Sequence, residues 1–191
     1  MNERESSEIP SYGVVIIGAG VSGLYQLYKS REIGVSALVL ESGTDVGGTW
    51  YWNRYPGARF DSESYSYGYS FSQDLLDQWD WQERFSAQPE NLRYLQHVAE
   101  QFDLRSDIRF QSVVTQCTFD ETSNEWQVEV EDGFKVRCRF LITAIGILSK
   151  PLIPDFDGME DFKGPSFHTA QWPHDEVVFT GKRVGIIGTG A

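Results

Sequence analysis

Apolar positions near the N-terminus follow first a strand-like and then a helix-like spacing. Residues 12–17 form a β-rich apolar run that is typical of a buried parallel strand. Residues 24–33 carry apolar side chains at helical spacing, and Gly34 lies where glycine commonly ends a helix. A second apolar run at 35–40 completes one predicted βαβ unit, and the polar residues 1–11 are left as an arm.

The rest of the chain predicts one clear helix, several strands and a long loop. Pro89–Phe102 places its leucines on one helical face, and shorter helices are expected around 72–79. Residues 42–72 have no clear period, and so long a loop in a compact domain usually serves a function. Asp132-Gly133 is a strong hairpin signal. Strands are predicted at 108–114, 116–119, 126–131, 134–140, 140–145 and 184–187.

Charge and cysteine content exclude several classes of protein. The 16 Lys and Arg residues against 28 Asp and Glu residues give a formal net charge of −12, which disfavours nucleic acid and anionic lipid as partners. Two cysteines, Cys117 and Cys138, form neither a disulfide framework nor a metal-ligand spacing, so we expect no metal and a reducing, cytoplasmic location. No apolar run is long enough to span a membrane.

The strongest motif is the glycine turn between the first predicted strand and helix. Gly18 permits a tight turn, Gly20 lets a pyrophosphate approach the backbone, and Gly23 lets the helix pack on the strand. Glu41 follows the second strand, where a carboxylate can bind both ribose hydroxyls. A chance glycine turn is the alternative, but the strand, helix and acid around it favour a dinucleotide site.

The acid at position 41 restricts the ligand of this first site, and two later segments favour FAD. An acidic residue at position 41 disfavours a 2′-phosphate, which leaves FAD or NAD. The glycine pair Gly47-Gly48, followed by Thr49 and Trp50, could lie against a cofactor, and 144–146 ends an apolar strand that could return beside the first.

A second glycine turn, with Gly188 and Gly190, follows the apolar run 184–187 at the end of the chain. It predicts the start of a site for a nicotinamide dinucleotide, with NAD and NADP both open and a plain strand-to-loop turn as the alternative. Because a buried strand needs neighbours, we expect the chain to be part of a longer protein.

Two longer patterns are more specific. The stretch GGTWYWNRYPGARFD covers residues 47–61, and FKGPSFHTAQWP covers residues 162–173. With both, the chain resembles the Baeyer–Villiger monooxygenases, class B flavoprotein monooxygenases of the phenylacetone and cyclohexanone monooxygenase type. The second stretch matches that family's fingerprint at Phe162, Gly164, His168, Trp172 and Pro173, and the first matches its companion motif at Gly47, Gly48, Trp50, Tyr55, Pro56, Gly57 and Asp61.

The resemblance implies an activity. NADPH would reduce FAD, the reduced flavin would capture O2 as a C4a-peroxide, and the peroxide would convert a ketone into an ester or lactone. Asp61 would orient a catalytic arginine that lies beyond residue 191, since a buried Asp needs a cationic or donor partner and an anionic peroxide needs positive charge. Arg59 and Asp61 would border the nicotinamide, and the further flavin contacts would be Thr49, Trp50, Tyr67 and Val114.

His168 allows three interpretations. Imidazole can transfer protons near neutral pH, it can organise the proline-rich segment between two nucleotide domains, or it can be an ordinary hydrogen-bonded side chain. We favour the second interpretation because of its place in the fingerprint.

Together these arguments predict an α/β fold. It would be a Rossmann-like three-layer FAD-binding domain at 12–148, with a small antiparallel β insertion at about 115–140. A linker at 149–181 would carry the second fingerprint, and an NADP-binding Rossmann domain would start at 182–191. Two rival functions remain: a class B monooxygenase that oxidises amines or sulfides, and a noncatalytic flavin-binding fragment, since these residues alone offer no complete hydride-delivery site. Oligomeric state and the identity of the ketone stay open.

Overall fold

The computed structural model describes residues 9–173 and 175–188. The chain divides into two compact units. The first unit comprises Met1–Gly48 and Leu95–Gly146, and the second comprises Thr49–Tyr94 and Ile147–Ala191.

The first unit is built on one six-stranded sheet. Its strands are β1 (Ser11–Ile17), β2 (Ala37–Leu40), β3 (Ile108–Arg109), β4 (Val114–Asp120), β5 (Glu125–Val130) and β6 (Lys135–Thr143). Their order is β3-β2-β1-β6-β5-β4, in which β3, β2, β1 and β6 are parallel and β5 and β4 are antiparallel. Helix α1 (Val21–Glu32) connects β1 to β2, and Gly34 follows it with a positive φ of 71°. The predicted βαβ unit and the α/β class are therefore confirmed.

Apolar side chains from both parts of the sheet form its core. Val15 and Leu40 from the parallel strands pack with Val128, Val136 and Cys138 from the antiparallel strands. Burial raises the pKa of the Cys138 thiol to about 11, so this thiol stays protonated at neutral pH. Cys138 is thus a structural residue of the core.

The strand register brings the ends of three parallel strands to one edge of the sheet. Ile17 is aligned with Leu40 on β2 and with Thr143 on β6. The Gly18 amide donates to the Leu40 carbonyl at 2.8 Å, and the Ala144 amide donates to the Ile17 carbonyl at 2.9 Å. Ligands of open α/β sheets bind beyond this carboxyl edge.

Three strand predictions were wrong in detail. The predicted strand at 108–114 is interrupted after Arg109, because Gln111 adopts a positive φ of 52° that leaves the extended conformation. The strands predicted at 134–140 and 140–145 are one strand, β6, which pairs with β5 on one side and with β1 on the other. The antiparallel insertion therefore continues the parallel sheet.

The remaining helices are short, except one. They are α2 (Thr49–Trp52), α3 (Gln73–Gln78) and α4 (Gln88–Gln101). Ser72 caps α3 by accepting a hydrogen bond from the Leu75 amide at 3.2 Å. The helix predicted at 89–102 and the short helix predicted around 72–79 are both confirmed.

Residues 147–173 and 175–188 contain two 3₁₀ turns, Met159–Asp161 and Thr169–Gln171. The strand predicted at 184–187 is not formed, and Ile186 is 85% exposed. An apolar run becomes a strand only beside a partner that completes its hydrogen bonds, and the described residues provide none there. The domain boundary at residue 182 stays a prediction.

Among the described helices, none combines the length and apolar character needed to cross a membrane. Within the same residues, no group of three or more His, Cys, Asp and Glu side chains could hold a metal ion.

Candidate functional site

Two glycines at the junction of β1 and α1 have no room for a side chain. Gly18 has a φ of 100°, and a Cβ atom there would lie 2.7 Å from the Ala144 carbonyl oxygen. A Cβ on Gly23 would lie only 1.9 Å from the Gly18 carbonyl oxygen. These glycines let the first turn of α1 and the end of β6 pack directly against the turn, as the motif predicted.

Gly20 packs closely against a second glycine segment, the pair Gly47-Gly48. A Cβ on Gly48 would lie 2.7 Å from the Gly20 Cα, and Gly48 has a positive φ of 51°. The Gly47 amide donates to the Ala19 carbonyl at 3.0 Å. The Gly47-Gly48 pair therefore braces the glycine turn, a contact that the sequence did not reveal.

The N-cap residue of α1 supplies no side-chain cap, which favours the binding of an anion at this helix end. Its N-cap is Gly20, which supplies no side-chain cap, and its first turn contains no acidic residue. The positive end of the helix dipole and the amides of the first turn can therefore interact with diphosphate oxygens.

Glu41 directly follows β2 and binds the glycine turn through its side chain. Its buried carboxylate, 4% exposed, accepts from the Ala19 amide at 2.6 Å through Oε2 and from the Gly43 amide at 2.7 Å through Oε1. The Ser42 hydroxyl also donates to Oε1 at 3.3 Å, and because a carboxylate offers about four acceptor sites, one remains for a ribose hydroxyl. The structure thus brings Gly18, Gly20, Gly23, Glu41 and Gly48 together at one edge of the sheet.

Replacing Glu41 by alanine should weaken both the fold and cofactor retention. It leaves two buried amides without acceptors, at about 1–3 kcal/mol each. We expect a lower unfolding midpoint and a loss of bound FAD, measured by thermal melting and by flavin absorbance. Glu32→Ala is the matched control, since this acid on α1 forms an exposed ion pair with Lys29. Equal behaviour of the two variants would contradict the assignment.

A further ion pair that sequence reasoning missed holds the loop before Gly47. The Asp45 carboxylate accepts from Arg105 at 2.5 Å and from Gln96 at 2.8 Å. Burial opposes the charge, but the hydrogen bonds from Arg105 and Gln96 hold the pKa of Asp45 below its ordinary value. No local pattern connects residues so far apart in the chain.

In the second unit, aromatic residues of the companion motif stretch pack with Tyr67 in one cluster. The Trp50 indole donates to the Tyr67 hydroxyl at 2.7 Å, and the Phe60 ring centroid lies 3.9 Å from that of Tyr67. Burial raises the pKa of Tyr67, so its hydroxyl stays protonated. Thr49 begins α2 beside Trp50 and is half-buried.

Arg59 and Asp61 lie on the exposed side of the segment that follows. Arg59 forms an ion pair with Glu83 at 2.9 Å. The expectation that Asp61 is buried was wrong within this chain: Asp61 is exposed and makes no hydrogen bond to the described residues, so its carboxylate is available to another group. Val114, in the first unit, begins β4 opposite Val130 and packs partly against the core.

The second fingerprint folds back on itself. The Phe162 ring covers Gly164, where a Cβ would lie 2.7 Å from Cζ of that ring. His168 Nδ1 accepts from the Ala170 amide at 3.1 Å and so caps the turn Thr169–Gln171. Trp172 packs on Phe167 with ring centroids 5.4 Å apart.

The two fingerprint stretches meet within the second unit. A pocket of about 310 Å³ is lined by Trp52 and Arg54 from the first stretch and by Trp172 and Pro173 from the second, with Ala170 and Gln171. Gly188 has the positive φ expected of a glycine turn, 93°, but no atom lies near its missing side chain. Gly190 and His174 lie outside the described residues.

Comparison with known proteins agrees with this geometry. A family model described as flavin-binding monooxygenase-like matches residues 12–191. An acetone monooxygenase (methyl acetate-forming) of Gordonia sp. is 49% identical over 92% of this chain and 33% of its own length. A phenazine N-monooxygenase of Lysobacter antibioticus is 42% identical over 94% of this chain and 33% of its own length.

Among solved structures, OTEMO in complex with FAD and NADP superimposes with a TM-score of 0.88. It is 47% identical and is matched over 96% of this chain and 36% of that chain. The chain thus spans about a third of the length of the relatives it matches.

The chain therefore belongs to the flavin-binding monooxygenase-like family. Within that family it is a homologue of the Baeyer–Villiger monooxygenases, the class B enzymes whose two fingerprints it carries.

Proposed function

We propose that this chain holds FAD in a protein that acts as an NADPH-dependent Baeyer–Villiger monooxygenase. The observation that carries the proposal is the glycine cradle: Gly20 and Gly48 approach so closely that only bare backbone fits, beside the open N-terminus of α1. Glu41 ends the neighbouring strand at the same edge. These residues fit the diphosphate and ribose of FAD.

The balanced reaction consumes one ketone, one O2, one NADPH and one proton and releases one ester or lactone, NADP⁺ and water. When bound, FAD that has been reduced by NADPH supplies the activated oxygen. We assign to Gly18, Gly20, Gly23 and Glu41 the binding of its diphosphate and ribose, and to Gly48, Thr49, Trp50, Tyr67 and Val114 further contacts with the flavin cofactor.

Asp61 supplies a negative charge that orients a cationic group toward the reacting centre. Its exposed, unbonded carboxylate supports this role, because such a group gains most from a guanidinium partner. Arg59 borders the nicotinamide in the same proposal, and Gly188 and Gly190 begin the site for NADPH. The fingerprint residues Phe162, Gly164, His168, Trp172 and Pro173 organise the segment between the two nucleotide sites.

Product analysis tests this function. The protein expressed from its complete reading frame is supplied with FAD, NADPH, O2 and a panel of small ketones. We expect an ester or lactone that carries one added oxygen atom. NADPH consumption with release of hydrogen peroxide and no ester from any ketone would contradict the proposal.

A second candidate is oxidation of a nitrogen or sulfur atom, which the similarity to a phenazine N-monooxygenase favours. The same assay with amines and sulfides in place of ketones separates the two. Stable FAD binding without NADPH oxidation would instead indicate a flavin-binding role without catalysis.

A further inference from the structure

We propose that Ser64 and Glu90 are positioning residues that brace the segment carrying Asp61. The inference rests on the proposed function for the role of Asp61 itself. The brace is a buried polar network of Ser64, Ser86 and Glu90, joined by hydrogen bonds at the Ser86 amide and hydroxyl.

The segment is fastened on both sides of Asp61. Before it, the Phe60 amide donates to the Ser86 carbonyl at 3.1 Å, and the Ala58 carbonyl accepts from the Gln88 amide at 2.8 Å. After it, the Ser64 amide donates to the Arg84 carbonyl at 2.8 Å. Only residues 61–63 lie between these fastenings, so the position of Asp61 depends on them.

The Ser64 side chain adds hydrogen bonds to the attachment on the C-terminal side of Asp61. Its hydroxyl, on a residue 2% exposed, accepts from the Ser86 amide at 2.8 Å and donates to the Glu83 carbonyl at 2.8 Å. One side chain thus joins two backbone groups of the opposing segment. Without the hydroxyl, the buried Ser86 amide has no acceptor.

Glu90 fixes the other end of the network. Its buried carboxylate accepts from the Ser86 hydroxyl at 2.5 Å and from the Gln82 amide at 3.0 Å. Glu90 lies in the first turn of α4, and within the described residues these two donors, and no ion pair, hold its carboxylate. This buried carboxylate therefore ties residues 82 and 86 to α4.

Hydrogen–deuterium exchange and product coupling together test the proposal in the full-length holoenzyme. Ser64→Ala should speed amide exchange in 58–66 and 83–88 by at least about tenfold and leave the peptides of β1 and β6 unchanged. The same variant should form several-fold less ester per NADPH consumed, at a FAD content equal to that of the wild type. Ser64→Thr keeps the hydroxyl and should recover most of both losses, while Glu90→Gln keeps one acceptor and should show a partial effect.

Ser66→Ala is the matched control, since this exposed hydroxyl donates to the Glu63 carbonyl of its own segment. Wild-type exchange or wild-type coupling in Ser64→Ala overturns the proposal. So does a lower rate of ester formation that is fully explained by lower FAD content at unchanged coupling, because that result indicates a purely structural role. If the wild-type enzyme forms no oxygenated product, the proposed function fails, and the exchange experiment decides the bracing separately.

Discussion

A single methyl group at Gly23 is expected to prevent the protein from retaining FAD. A Cβ there would lie 1.9 Å from the Gly18 carbonyl oxygen and 3.0 Å from its carbonyl carbon, and both atoms belong to backbone that cannot rotate away. Helix α1 must therefore move off the glycine turn. The displacement would carry the first-turn amides of α1 away from the position of the diphosphate.

Flavin absorbance of the purified Gly23→Ala protein measures this effect directly, and we expect less than a tenth of the wild-type FAD content. Gly34→Asn is the matched control in the same βαβ unit. Gly34 has a positive φ that Asn tolerates, and no atom of the described residues lies within 4 Å of its missing side chain. Full FAD content in Gly23→Ala would refute the placement of the diphosphate, and equal loss in both variants would indicate general instability.

Gly20→Val tests the facing side of the same cradle. Its Cβ would lie 3.3 Å from the Gly48 Cα, so the larger branched side chain forces the two glycine segments apart. We expect the FAD content of Gly20→Val to fall as it does in Gly23→Ala, to less than a tenth of the wild-type content.

The parts of the site that could be predicted from the sequence depend on local spacing. Gly18, Gly20 and Gly23 occur at the intervals that a strand, a tight turn and a helix impose on the chain. Glu41 is predictable because it ends the next strand, and parallel strands end at the same edge of a sheet.

The parts that could not be predicted depend on contacts between distant residues. Glu90 occupies an ordinary position for an acid in the first turn of a helix, and nothing in its neighbours reveals that it binds the Ser86 hydroxyl. Asp45 and Arg105 likewise give no periodic signal, although their ion pair holds the loop that leads to Gly48. Such pairs become visible only when the fold has brought the segments together.

The strand errors have a related physical cause. At Phe140 the sequence of β6 changes from alternating polar and apolar residues to a continuous apolar run, while the single strand pairs antiparallel with β5 and parallel with β1. Hydrophobic periodicity registers that change as a boundary between two strands. Residues 184–187 show the opposite error, because an apolar run was interpreted as a strand without the partner that a strand needs.

Asp61→Ala is expected to abolish ester formation while leaving the flavin bound. The exposed carboxylate makes no hydrogen bond to the described residues, so its removal leaves no buried partner unsatisfied and should change the unfolding midpoint little. A charge that orients a cation near developing negative charge contributes about 10²–10³ in rate, and we expect ester formation to fall by about that factor.

The measurement compares ester, hydrogen peroxide and NADPH consumption in the wild type, Asp61→Ala and Asp61→Asn at equal bound FAD. Asn keeps the shape of the side chain and removes its charge, so an equal loss in both variants assigns the effect to charge. Asp74→Ala is the matched control, because Asp74 is an exposed acid on α3. Ester formation at the wild-type rate in Asp61→Ala would remove Asp61 from the mechanism. That result would leave the FAD site at the glycine cradle in place, but the proposed mechanism would lack the negative charge that we assign to Asp61.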